Sequence, residues 1–287
     1  MRAASTRGRA AQQRKNGLTT NRLPSLFISH GSPMHAIHAG AAGAAWTALA
    51  KRLGKPRAIL MVSAHWETNI PMLTGAVAPE TIHDFGGFPD ELYRIQYAAP
   101  GDPALAERVQ GLLRAADICA GIEANRGLDH GAWSPLLHMY PDVDVPVLQL
   151  SIQSDRGARH HLAMGRAIEA LRDESVLIIA SGHMTHNLRD FFTLGRQSAG
   201  QDSGANPVAT YASEFRNWVD QRIHSNRLDE LVDWDTQAPS ALRAHPSPEH
   251  FLPLFVALGA AGERWETETV FAGFEASSLA MDAYAFN

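Results

Sequence analysis

The sequence contains one cysteine, Cys119, in 287 residues. A single thiol forms no intrachain disulfide and no thiolate-rich metal site, and such sparing cysteine use points to a reducing, cytoplasmic compartment. Long apolar runs are missing too. None approaches the roughly 20 residues that cross a bilayer, so no membrane span is expected. Nor is there a surplus of positive charge: 25 Lys and Arg stand against 30 Asp and Glu, a net charge of -5, which leaves no basic footprint for nucleic acid. The patterns of a phosphate-binding loop, a dinucleotide fold, a zincin and a hydrolase nucleophile elbow are all absent, and those readings lack support. Acidic side chains do not occur before Glu67, while residues 1 to 22 carry Arg2, Arg7, Arg9, Arg14, Lys15 and Arg22. That stretch has no apolar core of a secretory signal; it reads first as a disordered basic tail and second as an organelle transit peptide.

The whole sequence is 45% hydrophobic and 19% charged, a balance that builds a sizeable globular core. From Leu23 onward, apolar runs alternate with helical spacings. Residues 23 to 29, 58 to 63, 145 to 152 and 176 to 180 read as strands. Residues 36 to 53, 103 to 116, 155 to 172, 208 to 224 and 248 to 258 read as helices, and residues 267 to 274 and 279 to 286 as closing strands. Strands that are continuously apolar belong to a sheet covered on both faces. The expected fold is therefore α/β: a single domain, residues 23 to 287, with a central mostly parallel sheet flanked by helices.

The sequence has 14 histidines, and His is both a common metal ligand and a proton carrier near neutral pH. Three apolar strands end in small residues followed by His: His30 in LFISHGSP, His65 in ILMVSAHWE, and His183 with His186 in LIIASGHMTHN. Ligands of open α/β sheets sit beyond the carboxyl ends of the strands, so these side chains are expected to converge on one pocket. His130 stands in a glycine-flanked loop, GLDHGAW, and His250 in the first turn of the helix opened by HPSPEHFLPL. His138, His160, His161 and His224 read as surface or capping residues, and His35 and His38 as the start of the first helix, without a chemical role.

HGSPM (30 to 34), SAHWE (63 to 67), TIHDFGGFP (81 to 89), YAAPGDPALA (97 to 106), LDHGAW (128 to 133), MYPDVDVPVLQLSI (139 to 152), SGHMTHNLR (181 to 189) and PSPEHFLPL (246 to 254) together resemble the class III extradiol ring-cleavage dioxygenases of the DOPA 4,5-dioxygenase type. The resemblance spans residue 23 to the C terminus in the same motif order. It implies that His30, His65 and His250 are metal ligands, that His186 acts as acid/base or touches the metal, and that His130 contacts substrate or oxygen. Relatives that cleave protocatechuate have Glu as third ligand, whereas this chain has His250 there with Glu249 adjacent; an all-imidazole site suits zinc as well as iron. His183 falls outside the pattern.

Extradiol cleavage needs a metal that binds both catechol oxygens and O2, so the protein occupies only about three positions. A base must take a phenolic proton and an acid must return one, and His does both near neutrality. The resemblance thus implies Fe(2+) for activity, with Zn(2+) in purified material as an alternative, and a catechol plus O2 as the small-molecule partners. The same cluster would also suit a zinc hydrolase that activates water, or a metal-binding protein without catalysis like the Memo-like proteins of this fold.

Overall fold

The computed structural model describes residues 22–198 and 207–287. Along Leu26, Phe27 and Ile28, the middle side chain joins a core with Leu60, Val62 and Ile178, while its neighbours join a second core with Ile59, Met61 and Ile179. Side chains alternate across a strand, so a strand covered on both faces is apolar at every position. That is why these runs carry no polar period.

The elements follow in chain order. β1 (Ser25–Ser29), α1 (Gly40–Leu53), β2 (Ala58–Glu67), β3 (Met72–Thr74), α2 (Pro103–Ala115) and β4 (Gly121–Glu123) form the first part. α3 (His130–Met139), β5 (Val147–Ile152), α4 (Gly157–Ile168), β6 (Val176–Gly182), α5 (Leu188–Ser198) and α6 (Thr210–His224) come next. Three one-turn helices, α7 (Leu228–Leu231), α8 (Trp234–Gln237) and α9 (Ala241–Ala244), lead to α10 (Leu252–Ala261). β7 (Thr267–Phe271), β8 (Phe274–Glu275), β9 (Leu279–Ala280) and β10 (Ala283–Phe286) close the chain.

The main sheet runs β4-β3-β5-β2-β6-β1-β10-β7. Its four central strands, β5, β2, β6 and β1, are mutually parallel, with antiparallel pairings toward both edges. α1 and α3 cover one face; α2, α4, α6 and α10 cover the other. Every residue of α10 is buried, as befits a helix that is apolar all round. The α/β fold class is as the sequence indicated.

Several local expectations are corrected. The first helix begins at Gly40, because Ser32 and Pro33 open a separate 3-10 turn over Pro33–Ala36 in which Ser32 accepts from the Met34 amide. β2 runs on through His65 to Glu67, with a register irregularity against β5 after Val62. His130 is not in a loop but is the first residue of α3. His250 lies in the turn before α10, since Pro253, not Pro248, takes the first-turn place that suits proline. His161 is fully buried rather than on the surface. The basic stretch of residues 1 to 22 lies, apart from Arg22, outside the described residues. Among those, no helix is long and apolar enough to cross a membrane.

Candidate active site

β2, β6 and β1 are neighbours, and their register pairs Ser29 with Gly182 and Ser63 with Ser181. Their carboxyl ends are therefore level, and His30, His65 and His183 emerge along one edge of the sheet. The turn before α10 adds His250 from above: the His183 amide donates to the His250 carbonyl over 2.7 Å. Glycine is needed there, because a Cβ on Gly182 would stand 2.2 Å from that same carbonyl oxygen. Gly31, with φ of +72°, turns the chain directly after His30, and its missing Cβ leaves room for the His35 ring, which would lie 2.3 Å away.

His30, His65 and His250 point their Nε2 atoms at one another, with His65 Nε2 3.0 Å from that of His30 and 3.3 Å from that of His250. The opposite nitrogen of each ring is held. His65 Nδ1 lies 3.2 Å from Asp84 Oδ2 and His250 Nδ1 2.9 Å from Glu249 Oε1. A carboxylate only accepts, so both Nδ1 atoms carry the proton. His30 Nδ1 lies 2.9 Å from Ser181 Oγ, whose own proton goes to the Gly131 carbonyl. That carbonyl is free because residue 135, four positions on in α3, is a proline with no N–H to give it. His30 Nδ1 therefore donates as well.

This assignment leaves three bare Nε2 lone pairs facing one another across about 3 Å, a repulsive arrangement unless a cation lies between them. A proton is a poor candidate. Burial, and then the charge of neighbouring histidines, His65 for His30 and His186 for His250, hold both imidazoles well below their ordinary pKa. A divalent ion fits: ligand nitrogens at about 2.0–2.1 Å from a tetrahedral ion stand roughly 3.3 Å apart. The carboxylates and the serine oxygen behind the rings are the kind of partners that fix a ligand histidine's tautomer.

Two further histidines flank the trio. His130 stands beside His65, with ring centroids 4.0 Å apart, and its Nδ1 donates to Asp84 Oδ2 over 3.0 Å. Asp84 Oδ1 accepts from the His130 backbone amide at 2.9 Å, so one carboxylate caps α3 and holds two imidazoles. Partial burial works against its charge, yet hydrogen bonds from His130 and His65 keep Asp84 far below the usual carboxylate range. His186 lies flat on His250, centroids 3.5 Å apart and planes 14° from parallel. Its Nδ1 is 3.9 Å from Glu249, beyond hydrogen-bonding distance. Burial, with His183 and His245 nearby, pushes the His186 imidazole down to about 2.

Sequence reasoning misses Asp84 although TIHDFGGFP contains it, and it leaves His183 out of the site. His183 is buried, with its ring centroid 5.7 Å from that of His30 and its Nδ1 without a hydrogen-bond partner among the described residues. Above the histidines opens a cavity of about 470 Å³, a volume that suits a small aromatic ligand. Its walls are apolar, with Phe85, Phe88, Phe191, Phe192 and Leu279 among them.

Residues 24–286 match the family described as the catalytic LigB subunit of aromatic ring-opening dioxygenase. The chain is 40% identical to a 4,5-DOPA dioxygenase extradiol of Beta vulgaris, over 94% of this chain and 98% of that one. It is also 40% identical to one of Escherichia coli strain K12, over 92% and 94%. A crystal structure of an uncharacterized protein from Escherichia coli K12 superposes with a TM-score of 0.75 at 35% identity, covering 93% of this chain and all of that one.

Proposed function

Because the chain belongs to the LigB family of aromatic ring-opening dioxygenases, we propose that it opens the ring of a catechol with O2 at an Fe(2+) held by His30, His65 and His250. The observation that supports this most directly is the convergence of three imidazole Nε2 atoms at the floor of an aromatic-walled cavity. LigB dioxygenases use a non-haem metal. When bound, Fe(2+) supplies open coordination positions for the two catechol oxygens and for O2.

The protein's own groups do the rest. His130 donates through Nδ1 to Asp84, so its Nε2 has a lone pair free to take a phenolic proton, and Asp84 stabilises the imidazolium that forms. His186 is neutral over the whole working range and returns a proton readily whenever it receives one. The phenylalanine walls hold the ring plane and exclude bulk water from it. A catechol of DOPA-like or related phenolic type is the substrate class. The exposed, unpaired Cys119 matches the reducing cytoplasm in which ferrous iron is kept.

The test is a catechol panel given to protein reconstituted anaerobically with Fe(2+), beside a zinc-loaded control. Oxygen uptake with a yellow ring-opened product, seen with iron and not with zinc, supports the reading. Hydrolysis by the zinc form alone would replace it with the water-activating reading, and binding without turnover by either form with the non-catalytic one.

A further inference from the structure

The cavity holds two carboxylates, Asp84 and Glu275, and no lysine or arginine among the described residues that line it. Asp84 is consumed by the floor, where both of its oxygens accept hydrogen bonds from the histidines. Glu275 is not. It sits on β8, which pairs Glu275 with Leu279 of β9, another wall residue. Its Oε2 accepts from His35 Nε2 at 3.0 Å, and Oε1 has no hydrogen-bond partner among the described residues. His35 is in turn seated over Gly31, next to His30. The side chain keeps 31% of its surface open.

Resting on the reading that the substrate is a catechol, we propose that Glu275 is the specificity residue of the cavity, and that it selects catechols whose side arm carries an ammonium group over those whose arm carries only a carboxylate. Three features support this. Glu275 is an anionic residue of the cavity wall with Oε1 left over by His35, and a hydrogen bond between two charged groups is about twice as strong as a neutral one. The four phenylalanine rings around the same space offer the negative faces that attract organic cations. An anionic arm, by contrast, finds no cationic side chain along the described wall and meets a like charge at Glu275. Partial burial opposes the charge on Glu275, but the hydrogen bond and charge of His35 hold its carboxyl below the ordinary range, so it is ionised at neutral pH. The His35 partner also cancels part of the field. The expected discrimination is therefore tens-fold rather than thousands-fold. A zwitterionic amino-acid arm satisfies the same rule by presenting its ammonium to Oε1 and its carboxylate to the solvent.

The experiment uses the iron-loaded full chain and three probes that share one ring: dopamine, 3,4-dihydroxyphenylpropionate and 4-ethylcatechol. The readouts are kcat/KM from oxygen uptake, and Kd from quenching of tryptophan fluorescence under anaerobic conditions. In the wild type, dopamine is favoured over the propionate by about 10- to 100-fold in both. Glu275→Gln, which keeps a carbonyl acceptor for His35, brings that ratio near one, and Glu275→Lys inverts it. An unchanged ratio in Glu275→Gln, or a wild-type preference for the propionate, overturns the proposal. Melting temperature and metal content confirm that each variant is folded. If no probe is turned over while the Kd ratios still follow residue 275, the ring-cleavage reading fails and the amine selection stands; turnover with Kd ratios blind to residue 275 is the reverse.

Discussion

Ser181 Oγ accepts a hydrogen bond from His30 Nδ1 over 2.9 Å, and it is free to do so because its own O–H donates to the Gly131 carbonyl. The arrangement traces to Pro135, which denies that carbonyl its helical partner. A residue on the outer helix thus sets the tautomer of a ring at the sheet edge. Ser181→Ala removes the acceptor behind His30 and frees the ring to protonate Nε2 instead. Metal affinity should fall by about 10- to 100-fold, the usual effect of removing such a partner, with the fold retained. Metal titration followed by elemental analysis measures it. An affinity equal to wild type would mean that Ser181 does not orient His30.

Asp84 answers to two rings at once, at 3.2 Å from His65 Nδ1 and 3.0 Å from His130 Nδ1. In Asp84→Asn one oxygen becomes an NH2: in the place of Oδ2 it faces the N–H of both rings, and in the place of Oδ1 it faces the His130 backbone N–H, so either the two rings or the start of α3 lose their acceptor. Metal binding and proton transfer should both suffer. We expect weaker metal binding together with a kcat loss on the order of 10²- to 10⁴-fold under metal saturation, the size of general acid–base assistance. If kcat is restored in full by excess metal, Asp84 serves His65 alone and His130 is not the base.

His186 is outside the trio and stacked on it. His186→Gln should accordingly keep its metal while kcat drops by about 10²- to 10⁴-fold. His65→Ala, in contrast, should lose the ion altogether, because it removes the nitrogen that stands between the other two. Elemental analysis of both proteins separates the roles. Metal-free His186→Gln would make it a fourth ligand, and metal-replete His186→Gln with wild-type kcat would give it no part in the chemistry.

The strand ends are legible in the sequence because their chemistry is local. A run such as LIIAS can be buried on both faces only in a covered sheet, and the histidine that follows must leave the core at its edge. His30 and His65 thus stand out from their sequence context, whereas His250, ahead of a helix, is joined to them only by the family resemblance; the three do come together. Asp84 does not stand out. It lies in a long irregular segment with no apolar period, and its place is set by distant contacts such as the Ile82 amide on the Leu128 carbonyl at 2.7 Å and Trp133 Nε1 on the Ile82 carbonyl at 2.9 Å. Glu275 is hidden for the same reason, since β8 is two residues long and follows no pattern. The misreading of His161 has another cause: its neighbour His160 is partly exposed, and a His-His pair on an amphipathic helix does not reveal which ring faces inward.

His161 yields the clearest prediction of pH dependence away from the candidate metal centre. Its ring is fully buried in α4, with Nδ1 donating to the Gly157 carbonyl at 2.7 Å and Nε2 accepting from the Gln153 amide at 3.2 Å. Both nitrogens are committed in the neutral form, and a second proton on Nε2 would break the bond to Gln153. Burial pushes the imidazole down to about 4, whereas in the unfolded chain it titrates near 6.5. Between these values the unfolded state binds the extra proton and the folded state does not, so stability is full above pH 6.5 and is lost as the pH falls toward 4. From pH 7 to pH 5 this one group should remove about 2 kcal/mol of folding free energy. His161→Gln should be less stable at pH 7, because it gives up ring packing, but its stability should fall less steeply with acid, by that same amount. Urea denaturation of both proteins at pH 7, 6 and 5 measures the difference in slope. Parallel pH curves would show that His161 takes up its proton in the native state after all.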